Sequence, residues 1–95
     1  MSAYIVGTLR ILQIDAYASY VAAISGLSAR FGGERLVAAA VCEVIEGDSP
    51  VGEHVVITRF PDAAQARAFL TSPIYLAARR LRKDAVEIEL RLIEV

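Results

Sequence analysis

The stretch Val44–Tyr75 decides the fold of this chain: V-I-E-G-D-S-P-V-G-E-H-V-V-I-T-R-F-P-D-A-A-Q-A-R-A-F-L-T-S-P-I-Y. Glycine, aspartate, serine and proline cluster in Glu46–Gly52, a composition typical of a turn. The next segment, His54–Phe60, is dense in valine and isoleucine, which favours a strand. The turn and this strand predict the second half of a β-hairpin.

Helix signals follow that strand directly. Asp62 has the position of an N-cap, and Gln65 three residues later gives the pair the form of a capping box. Ser72 before Pro73 predicts a second helix start, because proline at the first helical position sacrifices no hydrogen bond. The stretch therefore predicts a hairpin, a central strand and a helix that restarts.

The flanking sequence completes a regular order of elements. Alternating apolar residues predict the first and last strands, and a three- and four-residue apolar spacing predicts one long helix that Gly32-Gly33 ends. The second strand is predicted from the β-branched residues that flank Ala38–Ala40 and from the turn that follows, although alanine itself prefers a helix. These segments are a strand over Tyr4–Ile11, a helix capped by Asp15 and running to Phe31, a strand over Arg35–Ile45 and a strand over Val86–Val95. The order β-α-β-β-α-β predicts an α+β, ferredoxin-like antiparallel sheet with the helices on one face. We expect a single domain over residues 1–95.

The face of this sheet that carries no helix is expected to be apolar. Val6 would lie there, and the second and third strands have apolar residues on both sides. An antiparallel sheet with one face in water normally has polar residues on that face. Two such sheets packed face to face would resolve the conflict, so the sequence predicts a homodimer through the sheet faces.

Composition excludes several classes of protein. The net charge of −1 and the sequence pI near 5.7 disfavour a nucleic-acid partner, whose binding surface is normally basic. No segment approaches the ~20 apolar residues of a membrane span, and the N-terminus lacks the pattern of a signal peptide. The single cysteine, Cys42, is predicted to be a small buried hydrophobe. We expect a cytoplasmic protein without a protein-built metal site.

Six segments together resemble the domain-of-unknown-function family 1330, a member of the dimeric α+β barrel superfamily. They are Tyr17–Tyr20, Phe31–Gly33, Glu43–Asp48, Val55–Pro61, Ala68-Phe69 and Ser72–Tyr75. The resemblance implies two ferredoxin-like protomers whose sheets close into a barrel. Wider members of that superfamily include cofactor-free monooxygenases, isomerases and haem enzymes acting on small organic molecules, and fold alone does not choose among them. We expect no tightly bound cofactor.

Two polar residues of the third strand are the main candidates for chemistry. His54 is the only histidine, and an imidazole ordinarily titrates near neutral pH, so it is a candidate general base. The alternative is a solvated histidine at a hairpin end. Arg59 lies in an apolar strand, where its charge must be paired or must face a wet cavity. It either anchors a carboxylate or enolate, or forms a salt bridge with Glu87 or Glu89.

The remaining candidates are wall residues. Tyr20, Phe60 and Tyr75 are expected to line a pocket between sheet and helices, although aromatics at helical spacing are usually core. Arg79 is the one basic residue expected to turn inward. Its neighbours Arg80, Arg82 and Lys83 are expected to form a solvated face.

Three functional hypotheses follow from these residues. The first is a homodimer that binds a small anionic or aromatic ligand, with Arg59 holding the anionic group. The second is a cofactor-free monooxygenase or isomerase that uses His54 as base and Arg59 to stabilise an enolate. The third is a purely structural dimer with a filled core.

Overall fold

The computed structural model describes residues 1–95 and contains four strands and three α-helices. In chain order these are β1 Ala3–Ile11, α1 Ile14–Ala23, β2 Glu34–Ala40, β3 His54–Phe60, α2 Ala63–Leu70, α3 Pro73–Arg79 and β4 Val86–Glu94. Short 3-10 helices at Ser28–Phe31 and Arg80–Arg82 follow α1 and α3. The predicted order β-α-β-β-α-β is confirmed, with the second helical region split into α2 and α3. No helix is long and apolar enough to cross a membrane.

The strands form one antiparallel sheet in the order β2-β3-β1-β4. One face of the sheet carries the helices, and the buried core lies between them. Ile5 from β1 and Phe60 from β3 meet Tyr20, Phe69 and Tyr75 from the helices there. The molecule is therefore a slab of two layers, with extents of 33 × 30 × 16 Å.

The two predicted caps of the second helical region are confirmed. The Asp62 carboxylate accepts a hydrogen bond from the backbone N–H of Gln65 at 2.8 Å, and α2 begins at Ala63, directly after Asp62. The Ser72 hydroxyl accepts from the backbone N–H of Tyr75 at 3.4 Å, and Pro73 is the first residue of α3. Both caps satisfy backbone donors that a helix start otherwise leaves free.

The first helix is shorter than predicted. It ends at Ala23, and the chain turns through Gly26, whose φ of +74° is a left-handed conformation that glycine adopts at little cost. The residue that precedes the helix is Gln13, whose side chain forms no cap, and Asp15 lies in the first turn instead. Gly32 has a φ of +78° and ends the 3-10 helix that continues the apolar stripe to Phe31.

The second strand is also shorter than predicted. It ends at Ala40, and a single backbone hydrogen bond from Val41 to Glu53 continues the hairpin beyond it. The rest of the connection to His54 is an irregular loop in which Cys42 is exposed. The prediction that Cys42 is buried was wrong, because the strand that would have carried it inward stops before it.

Candidate functional site

A cavity of about 220 Å³ lies between α1 and the helix-covered face of the sheet. The sheet supplies its floor and α1 its roof. Ten residues line it, nine of them hydrophobic: Leu9, Tyr17, Tyr20, Val21, Ile24, Arg35, Ala38, Val56, Ile88 and Leu90. An engineered cavity of about 150 Å³ in another protein admits benzene. The space here is therefore large enough for one ring with a small substituent.

The floor of the cavity includes residues from one row across the sheet. Ala38, Val56, Gly7 and Leu90 are successive partners on the four strands. A Cβ atom at Gly7 would lie 2.9 Å from Cδ2 of Leu90, so the row has no room for a larger residue there. Leu90 therefore occupies the space above Gly7. The short side chain of Ala38 projects little above the sheet, and the space between it and α1 is left unfilled.

Three polar side chains border the cavity. Tyr17 and Tyr20 come from α1, and Arg35 comes from β2. Burial raises the pKa of both phenols, so at neutral pH each stays protonated and can donate a hydrogen bond. The positive charges of Arg35 and Arg82 partly oppose that shift in the pKa of Tyr17. The cavity therefore combines apolar walls, phenol donors and one lining cation.

Of the predicted wall residues, only Tyr20 lines the cavity. Tyr75 lies behind it in the core, with ring centroids 6.4 Å apart. Phe60 is also a core residue and packs on Phe69, with ring centroids 5.5 Å apart. Arg79 is exposed and borders a different cleft.

Arg59 lies on the opposite face of the sheet. Its neighbour in the chain, Phe60, points into the core, and alternation along β3 directs Arg59 to the helix-free side. Its Nη2 donates to Oε2 of Glu34 at 2.7 Å, and this hydrogen bond raises the pKa of Arg59. The structure thus forms a salt bridge to β2, and not to β4 as the alternative prediction proposed. β1 lies between β3 and β4, which places Glu87 and Glu89 two strands away.

His54 lies on the same side of the sheet as the cavity. It is paired with Leu9, a lining residue, and stands two residues before Val56 on β3. Its Nδ1 is buried and has no hydrogen-bond partner. His54 and Arg59 are five positions apart on β3, and because successive side chains alternate, an odd offset points the two side chains to opposite faces. The structure does not bring together the base and anion stabiliser of the enzyme hypothesis.

Arg82 is buried, contrary to the prediction of a solvated basic face. Only 9% of the residue remains exposed. Its guanidinium carbon lies 4.8 Å from the ring centroid of Tyr20 and 6.0 Å from that of Tyr75. The signal in the sequence was its spacing: Tyr75, Ala78 and Arg82 are at i, i+3 and i+7, which puts them on one helical face.

No group of three or more His, Cys, Asp or Glu side chains is close enough together to hold a metal ion. The carboxylates nearest to basic groups form salt bridges at the surface, such as that between Arg10 and Glu87 at 2.7 Å.

Comparison with known proteins gives a family and a fold. The family model described as domain of unknown function (DUF1330) matches residues 2–95. No curated protein matches this sequence. A protein of unknown function from Rhodopseudomonas palustris has a similar crystal structure, with a TM-score of 0.83 and 20% identity, covering 99% of this chain and 82% of that one.

Two further structures share the fold at lower similarity. A dimeric ferredoxin-like protein of unknown function from a Jannaschia species has a TM-score of 0.69 and 16% identity, covering 97% of this chain and 99% of that one. SnoaB, a cofactor-independent oxygenase from Streptomyces nogalater, has a TM-score of 0.68 and 16% identity, covering 99% of this chain and 92% of that one. At these identities the likeness is one of fold.

Proposed function

The chain belongs to the DUF1330 family, and we propose that it is a homodimer that binds a small aromatic anion in the cavity between α1 and the sheet. The observation that carries the proposal is the cavity itself, which has the short side chain of Ala38 on its floor and Arg35 at its border. A purely structural dimer would be expected to fill this space, since protein interiors are packed with few voids.

Arg35 takes the role that the sequence suggested for Arg59. A guanidinium holds a carboxylate by two parallel hydrogen bonds, and Arg35 is the cation that lines the cavity. The phenols of Tyr17 and Tyr20 are protonated donors beside it, and the apolar floor suits a ring. A single-ring carboxylate matches both the size and the charge of the site.

The binding proposal is tested with benzoate and its neutral analogue benzamide, titrated into the protein and followed by NMR. Benzoate is expected to shift the resonances of cavity residues, and Arg35→Gln is expected to weaken benzoate binding about tenfold while leaving benzamide unchanged. Ala38→Leu fills the cavity floor and is expected to abolish binding of both compounds.

Two controls accompany these variants. Arg30→Gln removes an exposed arginine outside the cavity, and Ala64→Leu enlarges an exposed residue of α2. Both are expected to bind benzoate like the parent protein. Equal binding by the parent and Ala38→Leu would show that the cavity is not the site.

A second candidate function is cofactor-free oxygenation. It is favoured by the fold shared with SnoaB and by His54, whose buried Nδ1 is unpartnered on the cavity side of the sheet. A general base contributes about 10²–10⁴-fold to a rate when it is within reach of the proton it removes. For this candidate, oxygen uptake in the presence of a hydroquinone is expected to fall by at least about 100-fold in His54→Ala. No uptake by the parent protein with hydroquinone, catechol or resorcinol would count against it, and an unchanged rate in His54→Ala would exclude His54 as the base.

The homodimer is proposed to form through the helix-free face of the sheet. Its support is the apolar row of Val6, Ile57 and Val37 at the centre of that face and the dimeric state of the structurally similar Jannaschia protein. The cavity opens on the opposite, helix-covered side, so this dimer would leave it accessible.

A further inference from the structure

A second cleft lies between the end of α3 and β4. It shares only Ile88 with the cavity between α1 and the sheet, here called the aromatic cavity. It has a volume of about 520 Å³, and only three of its eight lining residues are hydrophobic. Four lining side chains are cationic and one is a carboxylate: Arg79, Arg80, Arg82, Lys83 and Asp84. The whole chain carries a net charge of −1, so this cleft concentrates positive charge on an otherwise slightly acidic protein.

Arg82 distinguishes the cleft from an ordinary basic surface. Arginine is almost never buried unless it is paired, yet this residue is nine-tenths buried and forms no salt bridge. Its Nη2 donates to the Tyr75 hydroxyl at 3.5 Å, a long contact, and its Nη1 is buried with no acceptor at all.

The surroundings of Arg82 compensate its charge only in part. The ring of Tyr20, 4.8 Å from the guanidinium carbon, provides a cation–π contact. A ring does not replace the hydrogen-bond acceptors that a guanidinium loses on burial, and leaving such a donor unsatisfied is costly. Arg82 is thus a cation that lines the cleft and has no anionic partner in the chain.

We propose that this cleft is a second binding site, for a small organic anion that carries a phosphate or two carboxylates. Arg82 would be the fixed cation at its inner wall, and the exposed Arg79 and Lys83 would close around the ligand. Multivalent anions match several guanidinium and ammonium groups better than a single carboxylate does. The apolar lining, Leu76, Val86 and Ile88, leaves room for a short carbon skeleton.

The location of the cleft is compatible with the proposed dimer. Ile88 is paired with Leu9, whose side chain is buried under the helices, so the cleft opens on the helix-covered side of the sheet. A dimer through the helix-free face would leave it open. The inference does not depend on benzoate binding, because Arg79, Arg82 and Lys83 do not line the aromatic cavity.

The test uses pyrophosphate and citrate as probes, titrated into the full chain by isothermal calorimetry at about 0.15 M salt, where exposed charges are largely screened. One site per chain is expected. The double variant Arg79→Ala/Lys83→Ala, which changes only exposed residues, is expected to weaken binding by about tenfold or more. Tighter binding of pyrophosphate would identify phosphate as the recognised group, and tighter binding of citrate would identify carboxylates.

A charge-matched control separates a built site from general attraction. Arg30→Ala/Arg67→Ala removes two exposed cations elsewhere and is expected to bind both probes like the parent. Arg82→Lys keeps the positive charge but loses the planar guanidinium with its parallel N–H donors. This variant is expected to bind both probes more weakly than the parent while giving the parent's circular dichroism spectrum. Equal weakening in the two double variants, or no binding by the parent at this salt concentration, would overturn the proposal.

Discussion

Phe60→Ala is expected to lower the free energy of unfolding by about 3–5 kcal/mol, the range found for truncation of buried aromatic residues. Phe60 is 1% exposed and is the largest fully buried side chain of the protein. Its ring packs against Phe69 and against Gly33, where an added Cβ would lie 2.8 Å from Cε1 of Phe60. Small domains have a total stability of about 5–15 kcal/mol, so at the lower end of that range this loss removes more than half of it.

The measurement is urea denaturation followed by circular dichroism, at one fixed protein concentration because association with a partner copy adds to apparent stability. Phe60→Leu keeps much of the buried volume and is expected to lose far less. Ile74→Ala, at a residue that is 46% exposed, is the surface control and is expected to change stability by less than about 0.5 kcal/mol. A loss below 1 kcal/mol for Phe60→Ala would mean that the core collapses around the missing ring. Because Phe60 does not line the cavity, Phe60→Leu is expected to bind benzoate like the parent protein.

The order of elements could be predicted because local signals and global fold agree. His54–Phe60 has the predicted bounds, since a proline-aspartate pair ends the strand and a turn precedes it. The caps at Asp62 and Ser72 are local interactions, which depend on residues three positions apart and not on the rest of the chain. Local features of this kind can be predicted from a sequence.

The errors concern features that depend on the assembled sheet. Glu34, and not Glu87 or Glu89, pairs with Arg59, because strand order decides which charges are neighbours. Arg35 could not be singled out from the sequence, because a single arginine at the start of a strand forms no recognisable motif. Its position over the cavity follows from the pairing of β2 with β3.

The cavity could not be predicted from the sequence for the same reason, because it depends on tertiary structure. Ala38, Val56 and Leu90 are far apart in sequence, and they share the floor of the cavity only because the sheet aligns them in one row. Arg82 was assigned to a basic run by composition, although its helical spacing from Tyr75 indicated a buried position. A pattern of spacing was the better guide than the charge of the segment.

The helix-free face of the sheet is the basis of the second large prediction. Val6, Ile57 and Val37 are adjacent partners on three strands and form an apolar row across its centre. Val37 is 39% exposed and Ile93, on the same face, is 48% exposed in the single chain. The slab measures 33 × 30 Å in its long dimensions, which is of the size that a standard interface requires, about 800 Å² on each partner.

Ile57→Lys is therefore expected to convert a dimer into a monomer. A lysine at the centre of two packed sheets would bury an unpaired charge, and that cost exceeds what the surrounding apolar contacts contribute. Sedimentation velocity at micromolar concentration is expected to give twice 10.3 kDa for the parent protein and 10.3 kDa for the variant. Ile74→Lys places the same charge on an exposed position of α3, on the helix-covered side, and is expected to remain dimeric. A monomeric parent would refute the dimer, whereas a dimeric Ile57→Lys together with a monomeric Ile74→Lys would place the interface on the helices and leave the apolar row of the sheet without a partner.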